Sequence, residues 1–77
     1  MTITVKFFAS LRETIGKASI NLDADNIHTA ADAWNTATEN HAPVSNMLIA
    51  INMEYANLDE AVKDGDEVAF FPPVTGG

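Results

Sequence analysis

One stretch of helical periodicity sits between segments that alternate, and this arrangement constrains the fold more than any other feature of the sequence. Ala30, Ala33, Trp34 and Ala37 recur at the spacing of one helix face, which predicts a helix from about Thr29 to Glu39. Thr29 reads as its N-cap, and Asp32 three residues later makes an approximate capping box with Asp in place of Glu. The helix ends well before Pro43. Its buried face is small except for Trp34, the expected anchor. A binding role for Trp34 is one reading; a core role is favoured, because an apolar stripe of period 3.6 usually faces the core.

The flanking segments read as strands. In "TITVKFF" (Thr2 to Phe8), Ile3, Val5 and Phe7 point one way, and Thr2, Thr4, Lys6 and Phe8 the other, the pattern of a half-buried strand. "ASLRETIG" holds one helical turn before Gly16 stops it. "KASINL" alternates again, with Ala18, Ile20 and Leu22 on one face, so the first part of the chain reads as a hairpin with a widened connection. The continuous apolar run Met47 to Ile51 predicts a buried central strand, and "MEYA" a further short one. Asp64-Gly65-Asp66 predicts a turn, since Gly65 accepts positive φ. Glu67 to Phe71 is the last strand, ended by Pro72. The expected class is α+β: a mixed sheet of four to five strands with one main helix on one face. Residues 1–71 form the domain and residues 72–77 an extended tail.

Composition narrows the chemistry. Seventy-seven residues make one domain, with a limited core. The absence of cysteine excludes disulfides, thiolate metal sites and iron–sulfur clusters, and fits a cytoplasmic protein. His28 and His41 are the only histidines, and no ligand cluster surrounds them, so no metal site is expected. A protein partner is the remaining supplement for so small a core. The formal charge of −7 disfavours nucleic acid and anionic lipid and favours basic protein partners; solubility alone is the plainer reading. No signal peptide is visible, and no apolar run approaches the length of a bilayer span. No pair of acids, no serine setting and no Gly-rich loop suggests catalysis by the chain alone.

Two features remain. The doublets Phe7-Phe8 and Phe70-Phe71 each place one ring on each face of the sheet. Phe7 and Phe70 share core parity with Val5 and Val68, which leaves Phe8 and Phe71 on the polar face as a candidate hot spot. Loops or twisted strand ends covering these rings are the alternative. The second feature is the ending "PPVTGG". Pro72 and Pro73 hold the backbone extended, Val74 and Thr75 favour the same geometry, and Gly76 and Gly77 have no Cβ to obstruct a narrow channel. The tail is either a frayed end or a device that delivers the Gly77 carboxylate. That carboxylate is ionised and a poor electrophile, so using it requires activation, for example as a mixed anhydride with AMP.

"DGDEVAFFPPVTGG" (Asp64 to Gly77) closely resembles the C-terminal signature of the molybdopterin synthase small-subunit family of sulfur carriers. "VKFFASLRETIG" (Val5 to Gly16) resembles its N-terminal strand and turn. The resemblance spans the chain and is specific at its two ends. It implies a β-grasp, ubiquitin-like fold. It implies that an ATP-dependent activating enzyme adenylates Gly77 and that a sulfur donor converts the adenylate to a thiocarboxylate (a 1-thioglycine). The tail then enters the synthase large subunit, in a heterotetramer with two copies of each chain. There its sulfur passes to cyclic pyranopterin monophosphate to form the molybdopterin dithiolene. No bound cofactor is implied. Positions matching Phe8, Arg12, Tyr55 and Phe71 look like contacts with the large subunit and the activating enzyme. Thiamine-pathway sulfur carriers and ubiquitin-like modifiers share the Gly-Gly ending and remain alternatives.

Overall fold

The computed structural model describes residues 1–73. Along the chain run β1 (Thr2–Phe7), α1 (Ser10–Ile15), β2 (Ser19–Asp23), a 3-10 turn (Ala24–Asn26), α2 (Ala30–Thr38), β3 (Leu48–Ile51), β4 (Glu54–Ala56) and β5 (Glu67–Phe71). The strands form one five-stranded sheet in the order β2-β1-β5-β3-β4. β1 and β5 are parallel, with Val5 beside Val68 and Phe7 beside Phe70; the other pairs are antiparallel. The sheet is therefore mixed, as expected.

The expectation that Met47–Ile51 forms the central strand is corrected. β5 is central, flanked by β1 and β3, and β3 lies one strand from the edge. The run is apolar on both faces for another reason: Ile49 packs in the core opposite Phe70, while Leu48 and Ala50 face outward opposite Phe71 and Ala69. Ala18, expected to share one strand face with Ile20 and Leu22, lies just before β2 and is exposed.

α2 covers the inner face. Both halves of its capping box are made: the Asp32 amide donates to Thr29 Oγ1 at 3.2 Å, and the Thr29 amide to Asp32 Oδ2 at 3.2 Å. Asp32 Oδ2 also accepts from the His28 amide at 3.0 Å. This last bond above all holds the Asp32 carboxyl below the usual carboxylate range, against the opposing effect of desolvation. The loop after β4 closes over the start of the helix. There the Ala30 and Ala31 amides, which have no partner within the helix, donate to the carbonyls of Glu60 and Leu58 at 3.0 and 2.8 Å. At the other end Lys17 Nζ donates to the Ala37 carbonyl at 2.9 Å, a cation placed where the helix dipole favours one.

Ala30, Ala33, Trp34 and Ala37 are all fully buried. Three of the four have almost no side-chain volume, so rings fill the space between helix and sheet. Trp34 meets Phe70 edge-on at 5.0 Å and Phe7 edge-on at 5.8 Å, the geometry aromatic pairs prefer. Its indole N–H, which would be costly to bury unpaired, donates to the His41 carbonyl at 2.7 Å. Ile3, Val5, Leu22, Val68 and Ile49 complete the sheet side of the core.

Candidate protein-docking face

The face of the sheet away from α2 has no covering layer among the described residues. Strand alternation puts Lys6, Ala69, Ala50 and Tyr55 on it in one cross-strand row, read from the pairs Lys6–Ala69, Ala69–Ala50 and Ala50–Tyr55. At one end of this face Phe8 and Phe71 stack with centroids 4.7 Å apart and planes 6° apart. Phe8 keeps 40% of its surface exposed and Tyr55 80%, against 2% for Phe7 and 0% for Phe70. Phe8 is thus outward and exposed, and Phe71, stacked on it, lies on the same face half-buried.

Between the aromatic pair and the β3–β4 turn lies a groove of about 250 Å³, lined by Lys6, Phe8, Ala50, Met53, Glu67, Ala69 and Phe71. Its floor is low because Ala50 and Ala69 are small. Its two charges neutralise each other: Lys6 Nζ and Glu67 Oε2 are 2.8 Å apart. An exposed pair of this kind adds at most about 1 kcal/mol to stability, but it removes free charge from an otherwise apolar surface.

Two turns frame the groove. Between β1 and α1 the Leu11 amide donates to the Phe8 carbonyl at 3.1 Å, and Ala9 adopts φ 52° and ψ −130°. That is the first central position of a type II′ turn, where glycine is the usual occupant. Between β3 and β4, Asn52 and Met53 have φ of 51° and 71°, the signature of a type I′ turn. Asn52 is clamped: Nδ2 donates to Asp66 Oδ1 at 2.9 Å, Oδ1 accepts from the Glu67 amide at 3.0 Å, and its own amide donates to the Glu67 carbonyl at 2.8 Å. Asp66 Oδ2 accepts from the Lys63 amide at 2.9 Å. That bond first, and the one from Asn52 Nδ2 second, hold the Asp66 carboxyl below the usual carboxylate range.

Of the residues expected at a partner interface, Phe8 and Phe71 come together and Tyr55 shares their face, on the edge strand two places from β5. Arg12 is exposed on α1, whose first turn follows the end of β1. Its side chain makes no hydrogen bond or ion pair among the described residues. Because β5 runs parallel to β1, Pro72 and Pro73 leave the sheet at that same end. Val74, Thr75, Gly76 and Gly77 lie outside the described residues. Ala50, Ala69 and Met53 were not picked out from sequence. Outward parity could have found the two alanines; the Asn52-Met53 turn carries no glycine to mark it. Among the described residues no group of three His, Asp or Glu is placed to hold a metal, and no helix is long and apolar enough to cross a membrane.

A model of the ThiS family matches residues 5–77. The chain belongs to the ThiS family. It is 42% identical over 84 residues to the molybdopterin synthase sulfur carrier subunits of Haemophilus influenzae and of Escherichia coli K12, covering 97% of this chain and 99% of each relative. The crystal structure of SAMP1 from Haloferax volcanii superposes with a TM-score of 0.81 at 31% identity, over 100% of both chains. A protein–protein complex of subunits 1 and 2 of the molybdopterin-converting factor from Helicobacter pylori 26695 contains a chain matched with a TM-score of 0.65 at 26% identity, again over 100% of both. The fold of this ThiS-family chain is the expected ubiquitin-like β-grasp.

Proposed function

We propose that this chain is the sulfur carrier subunit of a molybdopterin synthase. The observation that carries the reading is the 42% identity, over nearly the full length of both chains, with two such subunits. The docking face supports it. A partly aromatic surface whose two charges are paired with each other lies at the end of the sheet from which Pro72 and Pro73 depart, so a protein seated on Phe8 and Phe71 is also the one best placed to receive the tail.

In this reading the Gly77 carboxylate attacks the α-phosphate of ATP on an activating enzyme, pyrophosphate leaves, and a sulfur nucleophile from a donor displaces AMP to give the thiocarboxylate. The large subunit then accepts the tail and brings the thiocarboxylate sulfur to cyclic pyranopterin monophosphate. The carrier supplies the sulfur and its position, and the large subunit supplies the pterin site. Val74 and Thr75 are β-branched and favour extended backbone, and Gly76 and Gly77 carry no Cβ to obstruct a narrow channel. The assembly is a heterotetramer with two copies of each subunit, and its place is the cytoplasm. Deleting Gly77 tests this reading. Thermal melting should stay unchanged while conversion of the pterin precursor is lost, and a truncated chain that still supports conversion would refute it.

A second reading, attachment of Gly77 to lysines of other proteins, draws support from the 33% identity to small archaeal modifier protein 1 of Haloferax volcanii. Lysine-linked adducts recovered from cells would favour it.

A further inference from the structure

Met53 stands where the fold has no need of it. It takes the second position of the two-residue β3–β4 turn at φ 71°, a left-handed conformation that glycine adopts freely and a residue with a Cβ adopts under strain. Type I′ turns strongly favour glycine there, after asparagine; this chain has Asn52 and then methionine. The strain is not offset by burial, because Met53 is 92% exposed. Nor is the turn loosely set, since Asn52 is tied to Asp66 and to both backbone groups of Glu67. The side chain held in this way borders the groove opposite Phe8 and Phe71.

We infer that Met53 is a specificity-determining contact for the subunit that receives the tail, closing over an apolar side chain which that subunit inserts between Met53 and the Phe8–Phe71 pair. The inference rests on the carrier reading above. The occupant is apolar because the floor is Ala50 and Ala69 and the two charges in the groove satisfy each other. It belongs to the tail's recipient because Phe71, which lines the groove, leads directly into Pro72 and Pro73. A flexible, polarisable thioether suits a rim that must fit a partner's shape.

The test pairs stability with affinity for full-length chain, using the large subunit of the same organism as the titrant in calorimetry. Met53→Gly should raise the melting temperature and weaken Kd about tenfold, whereas Met53→Leu should keep both near wild type. A purely structural residue would not move the two in opposite directions. Phe71→Ser is the reference for the face itself. If it weakens binding while Met53→Gly does not, the role of Met53 is overturned and the docking face stands. If neither variant changes Kd, the docking face fails and this inference fails with it.

Discussion

Phe8 and Phe71 stack at 4.7 Å on the open face of the sheet, while Phe7 and Phe70, each one residue earlier, stack at 5.8 Å inside the core. The two pairs face opposite ways because adjacent residues of a strand point to opposite faces. The sequence spells one doublet twice, and the fold gives its halves different work.

Serine substitutions should separate those roles. Phe7→Ser and Phe70→Ser remove rings that pack on Trp34 and should destabilise the domain by about 3–5 kcal/mol. Phe8→Ser and Phe71→Ser should leave melting much closer to wild type and weaken large-subunit binding by about 2 kcal/mol. Chemical denaturation and calorimetry read the two effects. If Phe8 and Phe71 prove to be the destabilising pair, their surface is used for folding rather than docking.

Ala9→Gly should stabilise the protein. Ala9 sits at φ 52° and ψ −130°, a region that holds a non-glycine residue only at a cost of about 1–3 kcal/mol. Glycine relieves that strain but gains freedom in the unfolded chain, which returns about 0.4–1 kcal/mol. A net gain of about 1 kcal/mol raises the melting temperature of a domain this size by roughly 4–8 °C. A lower melting temperature would mean that the Phe8–Leu11 turn is not strained.

Asp66 should link the β3–β4 turn to acid stability. Its folded pKa is lowered, from a usual value of 3.8, by the bonds from the Lys63 amide and the Asn52 side chain. The stabilisation it gives is therefore fully present above pH 3.8 and is lost as pH falls through the lower folded value. Asp66→Asn cannot offer both groups a charged acceptor and should cost about 1–3 kcal/mol at neutral pH. Its stability should also fall less steeply than that of wild type in acid. Parallel acid-denaturation slopes for the two proteins would show that Asp66 contributes nothing through its charge.

The parts of the fold legible in the sequence are those where one face of an element is buried and the other is not. Ile3, Val5 and Phe7 alternate against Lys6 and Phe8, and Ala30, Ala33, Trp34 and Ala37 mark one helix face, so strand, helix and the outward Phe pair could all be read. Met47–Ile51 misled because Leu48 and Ala50 are apolar yet outward, opposite Phe71 and Ala69; a docking face imitates a central strand. The two framing turns were invisible because Ala9 and Met53 hold conformations usually marked by glycine. The Asp66–Asn52 clamp joins residues 14 apart in sequence, and no local pattern announces it.

The carrier reading stands or falls on the chemistry of the last residue. The most direct measurement is intact-mass analysis of the full chain after incubation with ATP, the activating enzyme and a sulfur donor, followed by fragmentation to locate any change. Replacement of one oxygen by sulfur, confined to Gly77, is the expected result. An unchanged mass in the presence of an enzyme competent on another carrier, or sulfur found anywhere other than Gly77, would contradict it.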